Sequence, residues 1–237
     1  MKKAIVIGAS SGIGAALAIA LANAGYNVGI TGRRKAELEK IKSSKPDTFV
    51  VSAFDNTHSG LGEKLNTLKT ELGGLDLLII SSGMGDLNPS LSYALEQPTI
   101  ALNVDAFTAI SAWGYAVFSK QGYGHLAAIT SIAGLRGGRH APAYNASKAY
   151  QINYLEGLRQ KATAEKLDLT ITDLRPGFVD TAMAKGEGQF WVAPPEKAAN
   201  QIMSLIKRKK SIGYVTKRWL LIAWVLKVLP RGIYKKL

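Results

Sequence analysis

The chain has 237 residues, of which 47% are hydrophobic, and this length suffices for one sizeable core, so we expect a single domain. The absence of cysteine excludes a disulfide framework and cysteine-based nucleophiles, and three scattered histidines do not have the spacing of a metal site. The net charge is +13, but ten of the 30 Lys and Arg residues lie in residues 207–237, which contain no acid. Residues 1–206 therefore hold 20 basic and 17 acidic residues, and this part of the chain is not predicted to bind nucleic acid.

Apolar, strand-like runs alternate with helix-length segments along the chain. The runs occupy residues 3–8, 27–31, 48–54, 75–81, 125–130 and 167–174. Helices are predicted from about Gly12, Arg34 and Thr57, over residues 90–118, and around Tyr144. Apolar strands separated by helices predict an α/β fold, in which a doubly wound parallel sheet of about seven strands is flanked by helices on both faces. Ligands are then expected at the carboxyl ends of the strands.

Glycines cluster between the first strand and the first helix, in the segment GASSGIG. Gly8 permits a sharp exit from the strand, Gly12 lets backbone approach a pyrophosphate, and Gly14 allows close contact between helix and strand. The expected phosphate-binding residues are Gly8, Ser10, Ser11, Gly12, Ile13 and Gly14. This spacing resembles that of the short-chain dehydrogenase/reductase family, although Ile7 stands where that family commonly has Thr. The resemblance implies a Rossmann-like fold.

Arg33 and Arg34 follow the second strand, where NAD-binding proteins carry an acid for the ribose 2′-hydroxyl. A guanidinium suits a 2′-phosphate instead, so the pair favours NADP(H) as the cofactor. An ordinary solvated helix start is the alternative for Arg34. After the third strand, the resemblance implies that Asp55, together with Asn56, contacts the adenine.

Four residues match the family's catalytic set in order, namely Asn103 in LNVDAF, Ser131 in ITSIAG, and Tyr144 with Lys148 in YNASK. Tyr144 and Lys148 share one helix face, although alone such a pair is equally compatible with ordinary packing. A tyrosine titrates near ~10, and a neighbouring ammonium and a positive nicotinamide would lower that pKa, so Tyr144 is the predicted general acid and base. The resemblance implies that Lys148 also binds the nicotinamide ribose, that Ser131 holds the substrate oxygen, and that Asn103 supports a water-linked proton relay.

The segment RPGFVDT after the sixth strand resembles the part of the family that lines the nicotinamide. The implied contacts are Pro176, Gly177, Val179 and Thr181. Residues 181–194, rich in small residues and containing Phe190 and Trp191, are predicted to form a lid over the substrate. After the fourth strand the chain reads ISSG where the family usually has NNAG. Ser82 and Gly83 are still expected to contact the cofactor, with altered hydrogen bonding.

Residues 216–237 form a basic, apolar extension of the predicted catalytic domain, residues 1–215. The eleven residues from Trp219 to Leu229 contain a single charge, and as a helix they would span roughly 16 Å of a hydrocarbon core about 30 Å thick. Tryptophans, flanking cations and the absence of acid are compatible with a position on an anionic membrane surface or beside a lipid-like substrate. A buried helix at a subunit interface is the alternative, because the family usually forms dimers or tetramers.

The motifs predict an NADP(H)-dependent oxidoreductase that acts on a carbonyl or hydroxyl group of an apolar small molecule, such as a ketone, a 3-oxoacyl thioester or a lipid-like alcohol. The alternative from another class is a membrane-docked interaction protein that binds NADP(H) as a signal without turnover. We expect a homodimer or homotetramer and no nucleic-acid partner. The absence of cysteine is compatible with the reducing cytoplasm. We therefore expect a cytoplasmic protein, with peripheral membrane contact through the C-terminal tail as one of its possible placements.

Overall fold

A parallel β-sheet forms the centre of the protein, whose computed structural model describes residues 1–181 and 190–236. The strands are β1 (Lys3–Ile7), β2 (Asn27–Gly32), β3 (Phe49–Ala53), β4 (Leu77–Ile80), β5 (Tyr123–Ile129), β6 (Asp168–Pro176) and β7 (Ile212–Val215). These seven strands of the described part are ordered β3-β2-β1-β4-β5-β6-β7, and all neighbours are parallel. The prediction of a doubly wound parallel sheet is confirmed, with the switch in strand order between β1 and β4.

Helices connect the strands and cover both faces of the sheet. They are α1 (Gly12–Asn23), α2 (Lys35–Ser44), α3 (Leu61–Leu72), α4 (Tyr93–Ile100), α5 (Phe107–Gln121), α6 (Pro142–Ala164), α7 (Pro195–Lys207), α8 (Trp219–Val228) and α9 (Arg231–Tyr234). A π-helical turn (Ala101–Ala106) joins α4 to α5, and a 3₁₀ turn (Ile132–Leu135) follows β5.

Side chains of the central strands β1, β4 and β5 alternate between two cores. In β1, Ala4 and Val6 enter the core that contains α1 and α7, whereas Ile5 and Ile7 enter the core that contains α3 and α5. Because both faces of the strand are buried, the sequence of β1 is apolar throughout. Burial on both faces leaves the ends of the strands for a site, and in doubly wound sheets ligands bind at the carboxyl ends.

Helix α3 begins at Leu61, not near Thr57 as the sequence pattern predicts. The Asp55 carboxylate accepts hydrogen bonds from the N–H and the hydroxyl of Thr57, at 2.9 and 2.7 Å, and Gly60 adopts a φ of 76°. This side-chain bonding holds the segment in a turn and delays the helix. The side chain of Asp55 therefore stays at the end of β3.

Helices α4 and α5 and the π-helical turn form one continuous stretch, Tyr93–Gln121, close to the predicted residues 90–118. By length and composition this stretch could cross a membrane. However, Phe107, Ile110 and Phe118 pack in the same core as β4 and β5. We therefore interpret the stretch as a core helix of the α/β domain.

Candidate active site

One cavity of about 1150 Å³ opens at the carboxyl ends of β1, β2, β4, β5 and β6. Its volume exceeds the range of about 300–1000 Å³ that is usual for small-molecule sites, which leaves room for a dinucleotide and a second molecule. All residues predicted to bind the cofactor, and three of the four predicted catalytic residues, line it: Gly8, Ser10, Ser11, Gly12, Ile13, Gly14, Arg33, Arg34, Asp55, Asn56, Ser82, Gly83, Ser131, Tyr144, Lys148, Pro176, Gly177, Val179 and Thr181. Asn103 is fully buried and is not part of this lining.

Gly8 and Gly14 occupy positions with no room for a side chain. Gly8 adopts a φ of 84°, and a Cβ there would lie 2.6 Å from the backbone nitrogen of Ser82. A Cβ on Gly14 would lie 2.1 Å from the carbonyl oxygen of Gly8. These contacts bring the start of α1 against the end of β1, beside the cavity. The first turn of α1 contains no acidic residue, so the positive end of the helix favours an anion.

Arg34 turns back from the end of β2 toward the glycine segment. Its Nη2 donates hydrogen bonds to Ser10 Oγ at 3.1 Å and to Ser11 Oγ at 2.5 Å. Arg34 is therefore more than a solvated helix start. Arg33 is exposed, and its Nη1 lies 3.7 Å from Asp55 Oδ2. This edge of the cavity presents guanidinium and hydroxyl donors, which phosphate oxygens prefer.

Asp55 and Asn56 continue the wall beyond β3. Burial raises the pKa of Asp55, but hydrogen bonds from Thr57 and the charges of Arg33 and His58 outweigh it and hold that pKa below its ordinary value. The carboxylate is thus charged at neutral pH and is already bonded within its own turn. Asn56 is buried, and its Oδ1 accepts no hydrogen bond from the residues described here.

Tyr144 and Ser131 contact each other where β5 and α6 meet the cavity. Ser131 Oγ accepts a hydrogen bond from the N–H of Ala133 at 3.0 Å, and the Ser131 hydroxyl is hydrogen-bonded to Tyr144. Burial raises the pKa of Tyr144, and the bond with Ser131 partly offsets the rise. The groups of the protein alone therefore raise the pKa of Tyr144, whereas the sequence analysis predicts that a neighbouring ammonium and a bound nicotinamide lower it. Lys148 Nζ lies 5.8 Å from the centroid of the Tyr144 ring, and burial outweighs any effect of its charge.

Lys148 is a buried lysine with well-defined partners. Its Nζ donates hydrogen bonds to the carbonyl oxygen of Ile129 at 3.0 Å and to Gln151 Oε1 at 2.9 Å. Burial lowers the pKa of Lys148 to about 8, although the charge of Asp173 acts in the opposite direction. Lys148 is therefore mostly charged at neutral pH, but a modest rise in pH is enough to neutralise it.

Gln151 links Lys148 to Asn103. Its Oε1 accepts the hydrogen bond from Lys148, and its Nε2 donates to the main-chain oxygen of Asn103 at 2.8 Å. All three side chains are buried. Where the family resemblance implies water between the lysine and the asparagine, this chain has a side-chain amide. Sequence reasoning missed Gln151, although its i, i+3 spacing from Lys148 places both on one face of α6.

The side chain of Asn103 fixes the backbone that follows β4. Its Oδ1 accepts a hydrogen bond from the N–H of Met84 at 3.0 Å, and its Nδ2 donates to the Met84 carbonyl at 2.7 Å and to Ser147 Oγ at 3.0 Å. Asn103 projects from the π-helical turn, an irregularity that is common at functional sites. It therefore ties the altered ISSG segment to α6 from behind the cavity.

A buried ion pair in β6, which sequence reasoning also missed, supports the same wall. Arg175 Nε and Nη2 lie 2.7 and 2.6 Å from Asp173 Oδ2. The other carboxylate oxygen of Asp173 accepts a hydrogen bond from Thr130 Oγ1 at 2.5 Å. Thr130 directly precedes Ser131, so the pair anchors the end of β5 and places a negative charge near Lys148.

The C-terminal helices complete the cavity, in line with one of the positions that the sequence left open for the tail, beside a substrate. Trp219 packs so closely on Gly177 that a Cβ on the glycine would lie 2.0 Å from the indole. Leu226 and Tyr234 also line the cavity. Arg136 holds them in place, because its Nη1 donates to the Leu226 carbonyl at 2.8 Å and its guanidinium lies 4.2 Å from the Tyr234 ring centroid. One side of α8 is therefore a wall of the site.

The predicted lid at residues 181–194 falls largely on residues 182–189, which lie outside the described residues. Phe190 and Trp191 are described, and both contact the indole of Trp219, with ring centroids 5.0 and 6.0 Å apart. The end of the predicted lid thus packs against α8. This aromatic cluster borders the cavity where Trp219 lines it.

Comparison with known proteins gives consistent matches. A sequence profile described as short chain dehydrogenase matches residues 2–190. An uncharacterized oxidoreductase of Myxococcus xanthus is 31% identical, over 77% of this chain and 74% of that protein. An uncharacterized oxidoreductase of Staphylococcus saprophyticus is 32% identical, over 77% of this chain and 80% of that protein. One of Mycobacterium tuberculosis is 29% identical, over 88% of this chain and 85% of that protein. The profile match spans every residue of the predicted site.

Proposed function

The chain belongs to the short-chain dehydrogenase family and is an oxidoreductase of that family, and we propose that it uses NADP(H) to interconvert a carbonyl and a hydroxyl group on an apolar small molecule. The observation that carries this proposal is that Ser131, Tyr144 and Lys148 line one cavity together with a glycine cradle. Apolar side chains also line the cavity, namely Met84, Leu87, Ile132, Phe178, Trp219 and Leu226. They favour a substrate that is apolar around its reacting group.

Three features of the cavity fit a bound NADP(H). The positions of Gly8 and Gly14 exclude side chains and leave a cradle for a pyrophosphate. Arg33 and Arg34 offer guanidinium groups to a 2′-phosphate, and Asp55 and Asn56 line the neighbouring part of the cavity, where the adenine would bind. When bound, the nicotinamide supplies or accepts the hydride.

Tyr144 transfers the proton that accompanies the hydride. In reduction, the carbonyl carbon gains a hydride and the carbonyl oxygen takes the proton of the Tyr144 hydroxyl; oxidation reverses both transfers. Ser131 donates a hydrogen bond to the same oxygen while negative charge develops on it. Because burial raises the pKa of Tyr144, the phenol keeps its proton at neutral pH until the substrate takes it.

Lys148 stabilises the phenolate that this transfer leaves behind, because its positive charge favours the charged form of Tyr144. Gln151 and Ile129 hold the ammonium group from behind by two hydrogen bonds. A Cβ on Gly83 would lie 3.3 Å from Lys148 Nζ, so the glycine lets the ammonium approach the cavity wall. Gln151 is thus a positioning residue that acts through Lys148.

Replacing Arg33 or Arg34 by Asp is expected to weaken NADPH binding much more than NADH binding. Each substitution removes donors for a 2′-phosphate and adds a repelling charge. Since a hydrogen bond to a charged group contributes about 1.5–3 kcal/mol, the Kd for NADPH should rise about 10–100-fold. Fluorescence titration with both cofactors measures this change.

Lys35→Asp is the matched control for these substitutions. Lys35 is exposed at the start of α2 and lies outside the cavity lining. Its replacement by Asp changes the charge by the same amount as the two arginine substitutions. It should change the two Kd values little and equally. Equal losses of NADPH and NADH binding in Arg33→Asp and Arg34→Asp would contradict the phosphate assignment.

The proposed function is tested by NADPH turnover across a panel of ketones and 3-oxoacyl thioesters. The proposal expects oxidation of NADPH with at least one apolar carbonyl compound. Tight NADPH binding without turnover on the whole panel would contradict it, and would be the result expected of a cofactor-binding interaction protein.

A further inference from the structure

Helix α8 has two apolar faces, only one of which is buried in the protein. Its inner face packs on the domain: Trp219 and Ala223 are buried, and Leu226 lines the cavity. Its outer face consists of Leu221, Trp224, Val225 and Val228, which are 66%, 64%, 44% and 56% exposed. These four residues, which we call the α8 surface, follow the i, i+3, i+4, i+7 spacing of one helix stripe. A helix that is apolar all round is normally buried on all sides, so the α8 surface requires a cover.

The apolar surface continues into the chain before α7. Phe190, Trp191 and Val192 are also partly exposed, and Phe190 and Trp191 contact Trp219. The guanidinium of Arg218 lies 5.9 Å from the Trp191 ring centroid, which joins this segment to the start of α8. The exposed apolar residues therefore lie around the side of the cavity that Trp219 closes.

Cations stand at both ends of the α8 surface. Lys217 and Arg218 precede it, and Lys227 and Arg231 lie at its end, while residues 207–237 contain no acidic residue. All four are exposed, and none forms an ion pair with a carboxylate of the described residues. An apolar stripe between exposed cations is complementary to a surface that is apolar inside and anionic outside.

We propose that the α8 surface docks on the surface of an anionic phospholipid bilayer. A second copy of the chain fits less well, because a symmetric contact would bring the cations of both copies together. The ten residues of α8 span about 15 Å, so the helix lies in the interface and does not cross the bilayer. If the proposed function holds, an apolar substrate dissolved in the bilayer lies next to the wall of the active site, and this consequence alone rests on that function.

Sedimentation with phospholipid vesicles tests the docking directly. The full-length protein is expected to sediment with vesicles of phosphatidylserine and phosphatidylcholine but not with phosphatidylcholine alone, and to be released by high salt. Trp224→Glu should reduce the bound fraction about tenfold, because it places a charge in the centre of the apolar stripe. The double variant Lys227→Glu/Arg231→Glu should reduce binding to anionic vesicles similarly while leaving the stripe intact.

Tyr123→Glu is the matched control, since Tyr123 is an exposed aromatic residue at the amino end of β5, the opposite end of the sheet from the cavity. It should sediment like the unchanged protein. Thermal melts establish that each variant is folded, and NADPH turnover on a water-soluble carbonyl compound should be unchanged in Trp224→Glu.

Two results would overturn the proposal. One is equal sedimentation of folded Trp224→Glu and of the unchanged protein. The other is failure of the unchanged protein to sediment with anionic vesicles; a dimer, seen by light scattering, that Trp224→Glu dissociates would then assign the α8 surface to a second copy. Vesicle binding needs no catalysis. If the unchanged protein binds vesicles but turns over no compound of the carbonyl panel, the proposed function is refuted and the docking proposal stands.

Discussion

Tyr144→Phe is expected to lower turnover by about 10²–10⁴-fold while leaving the Kd for NADPH nearly unchanged. The substitution removes only the hydroxyl that transfers the proton, and the ring keeps its packing in the cavity wall. Without that proton, the substrate oxygen must develop its negative charge against Ser131 alone. Steady-state kinetics on the best substrate of the carbonyl panel, together with cofactor titration, measures both effects.

Tyr150→Phe is the matched control for this prediction. Tyr150 lies on the same helix α6, and its hydroxyl hydrogen-bonds to Thr108 Oγ1 at 2.7 Å, away from the cavity lining. It loses the same atom at a position with no role in the reaction, so turnover should stay within a few-fold of the unchanged protein. Similar rates for Tyr144→Phe and Tyr150→Phe would contradict the role of Tyr144.

The free energy of unfolding is expected to rise with pH above about 8 because of Lys148. Burial lowers the pKa of Lys148 to about 8 from an ordinary value of 10.5. Between these two values the unfolded chain binds a proton that the folded chain has released, so the free energy of unfolding rises with pH in this window. Lys148 should therefore contribute a rise of about 1.4 kcal/mol per pH unit, or about 3 kcal/mol in total.

Urea denaturation at several pH values above 8 measures this linkage as a difference from Lys148→Met, because other groups titrate in the same range. The unchanged protein should gain stability relative to Lys148→Met as the pH rises. Gln151→Glu should reduce the gain, since a carboxylate 2.9 Å from Nζ would raise the pKa of Lys148 toward its ordinary value. Parallel curves for the unchanged protein and Lys148→Met would show that Lys148 is not held in the buried site described here.

Much of the fold follows from local patterns. Runs such as AIVI in β1 are apolar at every position, and such runs need a sheet that is covered on both faces. The glycine segment could be located for a related reason, because it lies directly between a strand and a helix, where the steric demands on Gly8 and Gly14 are severe. These features depend on neighbours in sequence and on burial alone.

Features that depend on side-chain direction could not be predicted in this way. The predicted start of α3 near Thr57 was wrong because Thr57 donates hydrogen bonds to the Asp55 carboxylate, which hold this segment in a non-helical turn. The bridge through Gln151 requires that α6 and the π-helical turn pack together, which no local pattern shows. The alternatives left for the C-terminal tail stayed open because hydrophobicity predicts that α8 is covered, but does not indicate which face packs on the cavity.

The central claim, hydride transfer between NADP(H) and a carbonyl carbon, is tested most directly by following the hydrogen itself. NADPH that carries deuterium at both C4 positions is incubated with the enzyme and its best carbonyl substrate, and the alcohol is examined by mass spectrometry. The account predicts one deuterium on the carbinol carbon of each product molecule, and about 10²–10⁴-fold slower formation of that product by Tyr144→Phe. An alcohol without deuterium, or bound NADPH that is never oxidised, would contradict the account.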